Sequence, residues 1–178
     1  LKSYIFSLVE YMYAADYART VYAWDVVNEA IETADKTEYG LRNSYWLQVI
    51  GDDFIYWAFR FAKDAVVEMS KKYAEKYGVS AEDETALTEI QPKLFYNDYN
   101  EWLADKKEAI IGVLKRETKD HGSILGEGLI DGIGMQGHLS DNNNIEEYVA
   151  ALKEYSSLVK EVHITELDVG NTNDLYQA

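Results

Sequence analysis

An α/β fold organised on a parallel sheet is predicted for this chain by three observations. Stretches rich in β-branched and aromatic residues alternate with stretches of helical periodicity, the pattern of parallel strands joined by helical crossovers. The strand-like stretches end in polar residues, at the edge where parallel sheets carry their ligands. No short-period repeat or low-complexity segment interrupts that order. The sequence reads α-βα-βα-βα-β, about four parallel strands with their helices. A (β/α)8 TIM barrel needs eight strands and typically about 250 residues. The 178 residues are therefore either part of such a barrel, with two open sheet edges, or an unrelated small α/β sheet.

The elements follow in order. Leu1 to Tyr17 is predicted as a helix, with Ile5, Leu8, Val9 and Met12 at helical spacing. The strand Val21–Asn28 follows, β-branched at Val26 and Val27. The acidic stretch from Glu32 to Tyr39, closed by Gly40, reads as a solvated loop. A long helix is expected from Asp52 or Asp53 to near Tyr77, buried along Phe54, Ala58, Phe61, Ala65 and Met69 and stopped by Gly78. Val79 to Gln91 reads as a surface insertion, and Pro92 introduces the strand Lys93–Tyr99. Ala104 to His121 is predicted as a helix with Gly122 as its C-cap. Leu129–His138 is a glycine-spaced strand. Asn144 and Glu147 form a capping box for a helix whose apolar face is Ile145, Tyr148, Val149 and Leu152. The last strand is Val162–Val169, followed by a polar tail.

Composition narrows the function. The net charge is −15, from 32 acidic and 17 basic residues. Such a balance argues against nucleic acid as partner, because polyphosphate binding needs Lys and Arg, and against an anionic membrane surface. No run is apolar enough to span a bilayer. With no cysteine, disulfides and thiolate metal sites are excluded. His121, His138 and His163 lack the close spacing of metal ligands, so no metal and no cofactor is expected. The first residue is Leu1, and the chain is expected to begin inside a longer precursor.

Four stretches carry possible chemistry. Asn28 and Glu29 end the first strand, where Glu29 can handle protons and Asn28 can bond a sugar hydroxyl; alone, the pair reads more readily as a capped strand end. In Val162–Val169, alternation puts Val162, Ile164, Glu166 and Asp168 on one face and His163 on the other, toward the helices. Val162 and Ile164 would line the barrel interior, leaving Glu166 and Asp168 at its mouth. That strand offers Glu166 no cationic partner on its own face, and an unpartnered buried carboxylate is costly. Gly132, Gly134, Gln136 and His138 share a face, and His138 would donate to Glu166 and be oriented by Asp168. Asn97 and Tyr99 end the second strand, placed to bond a hydroxyl and to stack on a sugar ring. Glu29 and Glu166 are thus expected to face each other across a sugar.

Taken together, Trp24-Asp25-Val26-Val27-Asn28-Glu29, Leu94 to Asn100, Gly132-Ile133-Gly134-Met135-Gln136-Gly137-His138 and Ile164-Thr165-Glu166-Leu167-Asp168 resemble the fourth to seventh strands of the endo-β-1,4-xylanases of glycoside hydrolase family 10. The stretch from Ser44-Tyr45-Trp46 through Ile50-Gly51-Asp52 to Ala58-Phe59 is similar too. The resemblance implies one partial catalytic domain over residues 1–178, from the third helix to just after the seventh strand. It implies Glu29 as general acid/base and Glu166 as nucleophile, with Asn28 on the 2-hydroxyl. Gln136 and His138 would position Glu166 and substrate, Asp168 would hold His138, and Tyr99 would meet the leaving-group side. The implied partners are xylan or xylo-oligosaccharides and the remaining barrel strands of the precursor. The implied location is secreted, or at the cell surface or periplasm.

The sequence departs from that family in two ways. The interval between Glu29 and Glu166 is longer than the pattern leads one to expect, the extra length falling in the polar loop and the acidic connector. The first three strands and the eighth are absent, and with them the Lys, Trp and His groups of the glycone side and a Trp lid. The chain is therefore expected to be a fragment, inactive or unfolded by itself. Two rivals stay open: another retaining (β/α)8 glycosidase such as a β-1,4-glucanase, and a degenerate barrel that only binds polysaccharide. A small flavodoxin-like sheet is disfavoured, because no phosphate-cradling glycine loop follows the first strand.

Overall fold

The computed structural model describes residues 1–170. Its main sheet holds four strands, β1 (Ala23–Asn28), β2 (Lys93–Asp98), β3 (Gly132–Met135) and β5 (Glu161–Ile164), in that spatial order. All neighbours are parallel, and sequential strands are adjacent, as barrel closure requires. Short strands β4 (His138–Ser140) and β6 (Asp168–Gly170) pair parallel beyond the C-terminal ends of β3 and β5. The polar tail lies outside the described residues.

Among the described residues, six α-helices accompany the sheet. They are α1 (Lys2–Ala14), α2 (Tyr45–Ile50), α3 (Phe54–Lys72), α4 (Glu84–Thr88), α5 (Ala104–Lys115) and α6 (Ile145–Ser156). One continuous core joins Ile5, Phe59 and Val66 to Val27, Leu94 and Tyr96. The α1 stripe is Ile5, Val9 and Tyr13, with Leu8 exposed and Met12 half-buried. Tyr13 donates its hydroxyl to Ile90 O at 2.8 Å, and Tyr77 donates to Tyr13 O at 2.9 Å. Among the described residues, no helix is long and apolar enough to cross a membrane.

Several expectations need correction. The connector is not a mere surface insertion, since α4 buries Leu87 and the following Ile90 is fully buried. The helix predicted to reach His121 ends at Lys115. Arg116 turns to extended backbone there, and its guanidinium binds Asp52 and Asp53; Gly122 caps nothing. The buried face of α6 is Tyr148, Ala151 and Tyr155, while Ile145 and Val149 are exposed. Tyr155 reaches Glu101 O at 2.7 Å, which fixes how the helix is turned.

The face assignment of the last strand is inverted. His163 does not point to the helices: its ring lies 4.3 Å from that of Phe95 and stacks on Tyr22. Val162 packs on the helix side against the core. The predicted single strand is also two, with a break between Ile164 and Asp168. A break removes the strict alternation, so Thr165 and Glu166 both reach Asn97. In β1, a bulge between Asp25 and Val27 adds one residue and sets Asn28 on the same face as Asp25.

Candidate active site

The inner face of the sheet narrows to a polar rim at the C-terminal strand ends. Asn28 pairs in register with Asn97, and Asn97 with Gly134. An alanine Cβ at Gly134 would lie 2.2 Å from Asn97 Oδ1, so glycine there makes room for the Asn97 amide. The buried Asn97 donates through Nδ2 to Asn28 Oδ1 at 2.9 Å and to Glu166 Oε1 at 3.1 Å. Its Oδ1 accepts from Thr165 Oγ1 at 2.8 Å.

Gln136 joins the two ends of the chain. Its buried side chain donates through Nε2 to Glu29 Oε1 at 3.1 Å and to Asn28 Oδ1 at 3.3 Å. Its backbone carbonyl accepts from the Glu166 amide at 3.0 Å. Glu29 and Glu166 are therefore linked through three amide side chains at one rim, both partly open to solvent.

After Gln136, Gly137 takes a left-handed φ of 75°, which a side chain would strain. That kink starts β4. His138 lies opposite Asp168 in register, with Nδ1 at 3.1 Å from Asp168 Oδ1 and Nε2 at 3.4 Å from Glu166 Oε2. The hydrogen bond to Asp168, reinforced by both carboxylate charges, raises the His138 pKa above its ordinary value. Asp25, on the same inner face and exposed on its open side, is raised above the usual carboxylate range by partial desolvation and then by the Glu166 charge.

Glu29 itself has a left-handed backbone, φ 54°, uncommon for a residue with a side chain. Its amide donates to Asn97 O at 2.9 Å, and its carbonyl accepts from Arg42 Nε at 2.7 Å. Tyr99 donates to Glu32 Oε2 at 2.6 Å and accepts from Arg42 at 3.1 Å. The Lys106 ammonium sits 3.3 Å from the Tyr99 ring centre, so that face of the ring is occupied by a cation. Behind the rim, buried Asp98 accepts from the Ile31 and Tyr99 amides and pairs with Lys106.

All eight sequence-predicted site residues lie at this rim. Asn28, Glu29, Asn97, Gln136, Glu166, His138 and Asp168 form one connected network, which Tyr99 joins through Arg42. Sequence reasoning missed Arg42, Glu32 and Thr165. The signal for the first two was Ile31 and Leu41, apolar positions flanking the acidic stretch and Gly40, which pair as an antiparallel bridge. On the open β1 side, Leu1, Tyr4, Trp24, Val26 and Trp46 line a cleft that reaches Asn28 and Glu29.

Parallel β/α units in chain order, with two carboxylates joined by amides at the C-terminal rim, define a piece of a (β/α)8 barrel of the glycosidase kind. Residues 1–90 and 80–178 match the model of Glycosyl hydrolase family 10, and the chain belongs to that family. It is 40% identical over 171 residues to an endo-1,4-beta-xylanase of Geobacillus stearothermophilus, a match covering 95% of this chain and 41% of that enzyme. It is 37% identical over 175 residues to endo-1,4-beta-xylanase A of Thermotoga neapolitana, covering 98% of this chain and 13% of the relative. Among solved structures, a psychrophilic glycoside hydrolase family 10 endo-beta-1,4-xylanase superposes with a TM-score of 0.66 at 33% identity, over 94% of this chain and 44% of that one. The chain thus spans less than half the length of each.

Proposed function

We propose that residues 1–178 are the acid/base- and nucleophile-bearing part of a retaining endo-β-1,4-xylanase barrel, acting on xylan or xylo-oligosaccharides once the remaining strands complete it. Family membership and the names of the relatives support the activity. The observation that carries the assignment of residues is the amide relay, in which Gln136, Asn28 and Asn97 bind Glu29 and Glu166 to each other.

Retaining hydrolysis uses two carboxyls about 5–5.5 Å apart, one as nucleophile and one as acid then base. Glu166 attacks the anomeric carbon as the carboxylate, beside a His138 that Asp168 holds toward its cationic form. Glu29 protonates the leaving oxygen and later deprotonates the incoming water. Gln136 Nε2 and the Arg42 guanidinium each contact one carboxylate oxygen of Glu29, and between them they aim the side chain. Asn28 bonds the 2-hydroxyl, and Tyr99 borders the leaving-group side. For polymeric xylan, which is too large to cross a membrane, we place the reaction outside the cytoplasm; assaying medium against cell contents tests that placement.

The chemistry is tested in a chain that carries the whole barrel. Reducing-sugar release from xylan, with the anomeric configuration followed by NMR, is compared for the parent, Glu29→Ala and Glu166→Ala. Turnover with retention in the parent, lost in both variants while xylan binding survives, is the expected result. Inversion, or turnover that persists in either variant, rejects the assignment. Preference for cellulose over xylan moves the reading to a β-1,4-glucanase, and binding without turnover in the parent moves it to a polysaccharide-binding barrel.

A further inference from the structure

We infer that Arg42 is a positioning residue for Glu29, fixing both the left-handed backbone and the carboxylate of the acid/base; the inference rests on the function proposed above. The excursion from Ala30 to Arg42 is an ordered return whose acidic middle, Glu32 to Tyr39, has no buried residue. Glu32 N donates to Gly40 O at 2.8 Å, Ile31 bridges Leu41, and Arg42 N donates to Ala30 O at 2.7 Å. Ile31 and Leu41 are fully buried and anchor it. What the excursion delivers is one guanidinium.

That guanidinium makes three contacts at once. Nε donates to Glu29 O at 2.7 Å, and one terminal nitrogen lies 3.1 Å from Tyr99 Oη and 3.5 Å from Glu29 Oε2. The Oε2 contact is too long for a good hydrogen bond and acts as an ion pair. The left-handed Glu29 backbone needs its surroundings to over-determine it, and the Arg42–carbonyl bond does so together with the Glu29 amide bond to Asn97. Tyr99, tethered to Glu32 at 2.6 Å, backs the guanidinium in turn. Only a planar fork serves the carbonyl, the phenol and the carboxylate together; the single point of an ammonium does not. Gln136 holds the other carboxylate oxygen, so Arg42 and Gln136 between them set the direction in which Glu29 presents its proton.

The test uses Arg42→Met in the chain with the complete barrel and two aryl β-xylobiosides, one with a strongly activated leaving group and one without. kcat/KM reports the step that cleaves the aryl bond. A misaimed acid costs most where the leaving group needs a proton, so a loss of about ten- to a hundred-fold is expected with the unactivated substrate. Less than about threefold is expected with the dinitrophenyl substrate, which leaves without protonation. Arg42→Lys, which keeps the charge and loses the fork, is expected to fall between parent and methionine. Losses equal for both substrates, or no loss, overturn the inference. Should Arg42→Met fail to fold, the same ratio in Arg42→Lys decides, and a parent-like ratio overturns it. Glu29→Ala runs alongside. If it discriminates between the substrates and the Arg42 variants do not, Arg42 alone is rejected. If it does not discriminate, the acid/base assignment falls and takes this inference with it.

Discussion

His138 and Asp168 face each other across the β4–β6 ladder, imidazole Nδ1 3.1 Å from carboxylate Oδ1. That bond raises the His138 pKa, with Glu166 adding to the rise. A raised folded value means the imidazolium is favoured in the folded state, so its contribution to stability is complete below the ordinary histidine value and is lost as pH climbs through the folded one. An NMR titration of the His138 ring is expected to give a midpoint above the ordinary value. In Asp168→Asn the midpoint is expected to fall, and the stability advantage on the acid side to shrink. A titration unmoved by that substitution removes Asp168 as the cause.

Gly132 and Gly134 separate packing from the site. A Cβ at Gly132 would lie 2.2 Å from the Phe95 ring and 2.8 Å from Glu161 O. A Cβ at Gly134 would strike Asn97 Oδ1 and approach Thr165, both tied into the rim. Each alanine overpacks and is expected to cost about 1–3 kcal/mol in urea unfolding. Only Gly134→Ala is expected to remove nearly all turnover in the complete barrel, because it displaces the amide that holds Glu166. Similar activities for the two folded variants would contradict this.

How much of this was legible beforehand depended on whether the information was local. The strand cores Val26–Val27 and Lys93–Asp98, the polar strand ends and the Asn144 cap are local patterns, and they were read where the structure has them. The faces of the last strand were not. Period-2 alternation holds only while a strand is unbroken, and the break before Asp168 lets consecutive residues Thr165 and Glu166 serve the same Asn97. Arg42 was invisible for a related reason, since its partners Glu29 and Tyr99 come from two strands and meet only when the acidic excursion folds back. The end of α5 was set by a distant pair, Asp52 and Asp53, that no local helix signal announces.

Lys106 and Asp98 form a buried ion pair at 2.8 Å behind the rim. Burial raises the Asp98 carboxyl above its usual range, while Lys106 and Tyr96 pull it back. Removing one partner of such a pair leaves a buried charge uncompensated, typically about 3–5 kcal/mol. Lys106→Met is therefore expected to lower unfolding free energy at neutral pH by about that much. Loss at or below about 1 kcal/mol would mean the pair behaves as a solvated surface bridge. The variant also uncovers the Tyr99 ring, which makes it a poor choice for probing activity alone.

Glu101 is a second buried carboxyl that the proposed reaction does not use. It is fully buried, and among the described residues neither carboxyl oxygen has a hydrogen-bond partner of good geometry. Burial pushes its pKa up to about 7, opposed first by its own backbone amide and then by Lys106 and the Gly137 amide, with the Asp98 charge adding to the rise. Between its ordinary value and about 7 the folded state holds a proton that the unfolded chain has lost, so stability falls as pH rises through that window and levels off above it. The fall is on the order of 3 kcal/mol for such a difference. Glu101→Gln keeps the shape and removes the titration. It is expected to flatten the pH dependence of urea unfolding across that window and to be the more stable chain above pH 7. A parent chain whose stability does not decline over the window would show that Glu101 ionises without penalty, and that the pocket beside Tyr148 and Tyr155 admits water.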